Sequence, residues 1–120
     1  MRIAIQHVLP AEEGSEAAKL IQRWDSLVRQ NVDLVKSEGT EVVFRIPRRG
    51  LTGLDAFCYT YMNRLNDMET LYGVMQAEEE SYDAVIELCL FDPILREARQ
   101  AVDIPVVGPG EAAMLLPRTL

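Results

Sequence analysis

The chain alternates between two kinds of apolar segment, and this alternation constrains its fold more than any other feature. Short runs rich in β-branched residues, typical of buried strands, occupy 2–7, 41–46, 83–89 and 104–108. Segments with helical spacing follow them, at about 15–38, 64–80, 93–102 and 109–116. The order βαβαβαβα predicts an α/β fold with a four-stranded parallel sheet and helices on both faces. Right-handed crossovers favour the flavodoxin-like strand order 2-1-3-4.

Local signals set the expected ends and faces of the helices. Ser15 caps the first helix, Gly39 ends it, and Asp92 with Pro93 opens the third. The pattern between 54 and 63 is ambiguous. Spacing by three and four predicts that these side chains face inward: Ala17, Leu20, Ile21, Trp24, Leu27, Val28, Val32 and Val35 in the first helix, Leu65, Met68, Leu71, Tyr72 and Met75 in the second, and Leu95, Ala98 and Val102 in the third.

Length and charge bound the classes of function. The 120 residues are enough for one domain, so we expect a single α/β unit over 1–120. A net charge of −7 repels phosphate backbones, so we expect no nucleic-acid partner. No apolar run approaches the roughly 18 residues of a membrane span, and no export signal is present. We therefore expect a cytoplasmic protein with both cysteines reduced and no membrane partner.

The predicted strand order places the candidate site at the carboxyl ends of strands 1 and 3, which carry His7 and Cys89. The amides of the third helix could lower the pKa of the Cys89 thiol or hold a substrate oxygen, unless Asp92 occupies them. His7, the single histidine, could share a proton with Cys89. The alternatives stay open, since cysteine is a common buried hydrophobe and histidine a common polar residue at strand ends.

Other residues with reactive or charged side chains give weaker signals. Cys58 lies in an aromatic cluster and is interpreted as core or interface. Arg48 and Arg49 could bind a substrate carboxylate through bidentate hydrogen bonds, or could be surface charges after the second strand. The two cysteines and one histidine lack the spacing of a zinc site, so we expect no metal. No glycine-rich phosphate loop occurs, so no nucleotide site is expected.

The second half of the chain resembles a known family. Cys89 followed by Asp92-Pro93, then "DIPVVG" at 103–108 and "GEAAM" at 110–114, is similar to the end of the first half of the aspartate/glutamate/hydantoin racemase superfamily. The hydantoin and allantoin racemase branch is the most similar. The "RG" at 49–50, about thirty residues before "YDA", also fits. The resemblance covers about 75 residues well and the first forty only in outline.

The resemblance implies a two-lobed α/β protein with its active site between the lobes. Each lobe supplies one cysteine, one thiol takes the α-proton of the substrate, and the other returns a proton from the opposite face. No cofactor or metal takes part. By motif, Cys89 is the first-lobe cysteine. The resemblance further implies that the substrate, a hydantoin, allantoin or amino acid, is bound by Leu90, Phe91, Asp92 and Gly110, with backbone amides at the first three.

The chain departs from the family pattern in three places. "QHVLP" at 6–10 replaces an Asn-Pro-Asn type turn, the bulky Phe91 stands where a small residue is usual, and a second lobe with its own cysteine is absent from the 120 residues. We therefore expect either a homo-oligomer or a missing second lobe that would cover the exposed apolar surface. The alternative function is a non-catalytic α/β module that binds a small ligand or serves as a scaffold.

Overall fold

A computed structural model describes residues 1–53 and 58–119, and its strands and helices alternate as predicted. The bounds are β1 Arg2–Gln6, α1 Glu16–Val35, β2 Glu41–Arg45, α2 Thr60–Glu79, β3 Ala84–Glu87, α3 Leu95–Ala101, β4 Val106–Val107 and α4 Pro109–Leu115, with a closing 3-10 turn at Leu116–Thr119. The ambiguous segment 54–63 lies partly outside the described residues. Its later part belongs to α2, which begins at Thr60 and not at Arg64.

The four strands form one parallel sheet in the order β2-β1-β3-β4, which confirms the predicted fold class and strand order. β1 lies in the interior of the sheet, where Gln6 pairs in register with Arg45 of β2 and with Glu87 of β3. The chain moves from β1 in one direction to β2 and then returns across the sheet to β3 and β4. Right-handed crossovers therefore place α1 on one face and α2 with α3 on the other.

The main core lies between the sheet and the two helices α2 and α3 that cover one of its faces. The buried side chains that pack there are Ala4, Val74, Ala77, Tyr82, Val85, Ile94, Leu95, Ala98, Val102 and Val106. The inward positions predicted for the third helix, Leu95, Ala98 and Val102, are among them and are confirmed. Val102 lies one residue past α3 and serves as its C-cap.

α2 packs on the sheet with a different side from the one that apolar spacing predicts. Its buried residues are Asn66, Asp67, Thr70, Val74 and Ala77, whereas Leu65, Met68, Tyr72 and Met75 are exposed. Small side chains make this close approach possible. A Cβ added at Gly73 would lie against the side-chain amide of Gln6. The polar members are stabilised by hydrogen bonds, because Asn66 binds both backbone groups of Leu51 and Thr70 donates to the Asn66 carbonyl.

α1 begins as predicted, since the Ser15 hydroxyl accepts a hydrogen bond from the Ala18 amide at 3.1 Å. It ends at Val35, earlier than the predicted end near Glu38, and Gly39 follows in a turn with a φ of +77°. Only Ala17 and Ile21 of its eight predicted inward residues are buried. The prediction merged two stripes on different sides of the helix, and the outer one, Leu20, Trp24 and Leu27, is exposed.

None of the helices in the described ranges is both long and apolar enough to cross a membrane.

Candidate active site

A cavity of about 320 Å³ lies at the carboxyl ends of β1 and β3, where the strand order predicts a site. Loop residues form one wall and the first two turns of α2 form the other. The lining residues are Val8, Thr60, Asn63, Arg64, Asn66, Asp67, Cys89, Phe91, Asp92 and Pro93. The cavity therefore brings Cys89 and Asp92 together with polar side chains of α2 that the sequence interpretation did not consider.

Cys89 lies two residues past the end of β3 and is half-buried in this cavity. Burial raises the pKa of its thiol, and the nearby carboxylates of Glu87, Asp92 and Asp67 raise it further, although a hydrogen bond from the Phe91 amide acts in the opposite direction. The expected lowering of the pKa by helix amides is therefore wrong. α3 begins only at Leu95, and the Ile94 amide just before it donates to Glu87 and not to sulfur.

Glu87 is a buried carboxyl group beneath the site, and its side chain is 0% exposed. Its Oε1 accepts a weak hydrogen bond of 3.4 Å from the Ile94 amide, while Oε2 has no partner among the described residues. Burial raises the pKa of Glu87 to about 7, with further contributions from Asp92 and Asp67. A proton on this carboxyl relieves the cost of a buried charge next to two other carboxylates.

Asp92 fixes the Cys89 loop to α4. Its carboxylate accepts hydrogen bonds from the amides of Gly110, at 3.1 Å, and Glu111, the first turn of α4. The prediction that Asp92 caps the third helix is wrong, since α3 has no side-chain cap and Asp92 caps α4 from a distance in sequence. A Cβ at Gly108 would collide with the Asp92 carboxyl, and one at Gly110 with the Leu90 carbonyl oxygen. The two glycines therefore allow the loop to approach the helix closely.

The predicted substrate-binding residues occupy different positions. Phe91 and Asp92 line the Cys89 cavity, while Leu90 and Gly110 line a neighbouring groove against α3 and α4. The amides of Phe91 and Gly110 already have acceptors, the Cys89 sulfur and the Asp92 carboxylate. The Phe91 side chain is 89% exposed at the cavity rim, so it does not fill the cavity.

His7 and Cys89 are not brought together. His7 is buried on the α1 face, where its Nε2 lies 2.7 Å from Oδ1 of Asp25 and its ring lies near Phe44. Burial lowers the pKa of His7, and Asp25 opposes this effect. Because Gln6 and Glu87 are in register, the next residue of β1 points to the opposite face from the side chain of Glu87. This arrangement does not support proton sharing between His7 and Cys89.

The α2 wall contributes the polar residues that sequence reasoning missed. Asp67 is buried beside the cavity and accepts from Arg64 at 3.0 Å, yet burial raises its pKa because it outweighs that pairing. Asn66 anchors the loop after β2 through Leu51. The available signal was the stripe Asn66, Thr70, Gly73 and Ala77, whose small and polar residues repeat at helical spacing. Cys58, predicted as core or interface, is exposed and is not part of the core.

Within the described residues, no three side chains of His, Cys, Asp or Glu lie close enough to hold a metal ion together.

Comparison with known proteins supports the resemblance seen in the sequence. No family model matches the chain. A hydantoin racemase from Pseudomonas sp. (strain NS671) is 31% identical over 77 residues, which are 64% of this chain and 30% of that protein. The predicted resemblance to the aspartate/glutamate/hydantoin racemase superfamily is confirmed. The fold also matches, since allantoin racemase from Klebsiella pneumoniae superposes with a TM-score of 0.77 at 20% identity, covering 100% of this chain and 44% of that one. The chain spans less than half the length of these two racemases.

The buried Glu87 carboxyl makes stability depend on pH with a defined sign. Its pKa of about 7 in the folded chain exceeds the ordinary 4.5, so its contribution to the free energy of unfolding is complete below about pH 4.5 and is lost as the pH rises through 7. We expect Glu87→Gln to abolish a loss of about 2–3 kcal/mol between pH 5 and pH 8, measured by urea denaturation. Glu13→Gln in an exposed loop is the control. A variant that retains the wild-type pH dependence would show that Glu87 is not the titrating group.

Proposed function

We propose that the chain is the thiol-bearing half of a cofactor-independent racemase or related isomerase that acts on a proton α to a carbonyl. The observation that carries the proposal is Cys89 in a cavity at the switch point of a sheet whose sequence and fold are similar to those of racemases. The substrate class is a small amide or acid such as a hydantoin, allantoin or an amino acid. The cavity favours neutral amides within this class, because Asp67 and Asp92 line it and its arginine, Arg64, is paired with Asp67.

Because its pKa is raised, the resting Cys89 thiol is protonated, and it acts as the proton donor in the forward direction of the reaction. A base on the far side of the substrate removes the α-proton and leaves a planar carbanion stabilised as an enolate. The S–H of Cys89 then transfers its proton to that carbon from the other face, the sulfur becomes a thiolate, and the configuration is inverted. The carboxylates around Cys89 make this thiolate a strong base, so Cys89 can remove the proton when the reaction runs in reverse.

Deuterium exchange in D₂O tests this proposal directly. We expect Cys89-dependent exchange at the α-carbon of 5-methylhydantoin or allantoin, followed by NMR and corrected for exchange without protein. Cys89→Ser should lower the rate by about 10²-fold or more, as loss of a general acid does, while Cys58→Ser should leave it unchanged. Exchange that persists in Cys89→Ser would contradict the proposal. Thermal stabilisation by these compounds that survives in Cys89→Ser, without exchange in either protein, would instead support a non-catalytic binding module.

We further propose that a second polypeptide surface completes the site, and that in solution a second copy supplies it. The support is an apolar stripe on the outer face of α2, which we call the α2 stripe. Its side chains are 37–69% exposed and follow one another at intervals of four and three: Tyr61, Leu65, Met68, Tyr72 and Met75. This spacing is typical of helices that pack against another helix. Phe91 at the rim of the Cys89 cavity and the adjacent Leu90 expose further apolar surface.

Sedimentation velocity distinguishes the two sources of that surface. We expect the 120-residue chain to sediment as a dimer or larger oligomer, and Leu65→Glu with Met68→Glu to convert it to monomer by placing charges in the α2 stripe. The control is Gln22→Glu with Gln30→Glu, which adds the same charge at exposed positions of α1. A wild-type chain that stays monomeric would contradict self-association and leave a missing second lobe as the source.

The cytoplasmic location of the protein stays a prediction.

A further inference from the structure

A second cavity, larger than the Cys89 cavity, lies on the opposite side of α2. Its volume is about 600 Å³, within the range of small-molecule sites, and it is bounded by the end of β1, by β2 with the loop after it, and by the middle of α2. It shares no lining residue with the Cys89 cavity. The arginines Arg48 and Arg49, which the racemase proposal does not use, line it together with Arg45.

The β2 side of this cavity carries three arginines, one of them paired with a glutamate and two exposed. Arg45 directs its two terminal nitrogens to the carboxylate of Glu80, and its buried Nε has no partner among the described residues. Arg48 and Arg49 are exposed and form no hydrogen bond or close ion pair in the described ranges, although the charge of Arg48 adds to the effect of Arg45 in lowering the pKa of Glu80. Glu80 is therefore already satisfied, and two guanidinium groups remain available for a carboxylate.

The opposite side of the cavity offers acceptors. The Gln6 side chain is 1% exposed, its amide nitrogen donates to the His7 carbonyl, and its Oε1 has no donor among the described residues. Gly73 packs directly against it, since a Cβ there would overlap the Gln6 amide. Glu69 of α2 also lines the cavity and forms no ion pair or hydrogen bond within the described part of the chain. A buried acceptor without a donor is costly and is unusual unless a ligand or water supplies one.

We propose that this cavity, here called the arginine cavity, binds a small molecule with a carboxylate at one end and an N–H donor at the other, such as an amino acid. Arg48 and Arg49 hold the carboxylate, and Glu69 with Gln6 Oε1 accepts from the N–H groups. The site lies on the opposite side of α2 from Asp67, so an occupant contacts the same helix that forms one wall of the Cys89 cavity. The proposal goes beyond the racemase reaction and does not depend on it.

Matched probes test the proposal by ¹H–¹⁵N NMR titration at low ionic strength. The probes are 4-aminobutyrate, butyrate and butylammonium, which carry both groups, the carboxylate alone and the ammonium alone. We expect 4-aminobutyrate to shift the amides of 48–51 and Gly73 and to bind more tightly than either single-group probe. Cys89→Ala should leave these shifts unchanged. Absence of shifts in 48–51 and Gly73, or equal affinity for all three probes, would overturn the proposal.

Two sets of variants identify the contacts. Arg48→Ala with Arg49→Ala should weaken 4-aminobutyrate binding about tenfold, which corresponds to about 1.4 kcal/mol. The control pair Arg23→Ala with Arg118→Ala removes the same charge from exposed positions elsewhere, and an equal loss in that pair would reduce the binding to nonspecific attraction. Glu69→Gln should retain butyrate binding and lose the preference for 4-aminobutyrate over butyrate. A preference that survives Glu69→Gln would contradict the assignment of the N–H end.

Discussion

The register between β1 and β3 is the constraint on which the site depends. Gln6 lies beside Glu87, so the next residue of β1 turns to one face of the sheet while Cys89, two residues beyond Glu87, lies in the cavity on the other face. The crossovers place α1 on the first face and α2 on the second. His7 therefore meets Asp25 of α1, and Cys89 meets the polar first turns of α2. A one-residue difference in register would have placed both side chains on the same face.

Burial and negative charge, and not a helix dipole, determine the chemistry of Cys89. Its neighbours Glu87, Asp92 and Asp67 are acidic, and the pKa values of Glu87 and Asp67 are themselves raised by burial. Such an environment keeps the thiol protonated at neutral pH, which suits a proton donor and not a resting nucleophile. Asp92 also has a mechanical role, because its hydrogen bonds to the first turn of α4 hold the loop that carries Cys89. One side chain thus links the position of the thiol to its electrostatics.

Much of the fold could be predicted from the sequence, because buried parallel strands are continuous apolar runs that can be recognised in one sequence without an alignment. The strand order, the cap at Ser15 and the inward face of α3 followed from such patterns. The face of α2 did not, since Asn66 and Thr70 turn inward and satisfy their polar groups through hydrogen bonds that spacing cannot reveal. The separation of His7 from Cys89 was also hidden, because strand register is a property of the pair of strands and not of either sequence alone. Motif similarity predicts Asp92 and Gly110 as substrate-binding residues, and the contact that the structure shows between them joins the Cys89 loop to α4.

An NMR titration of the Cys89 ¹³Cβ resonance measures the protonation state of the thiol on which the proposed chemistry depends. The measurement uses the Cys58→Ser protein with labelled cysteine, so that a single thiol is observed. We expect a titration midpoint above the ordinary value of 9.0. The midpoint should be lower in Glu87→Gln than in the parent protein, because the Glu87 charge is one of the causes that raise the pKa of Cys89. A midpoint below 9.0, with thiolate present near neutral pH, would show instead that Cys89 is a resting base.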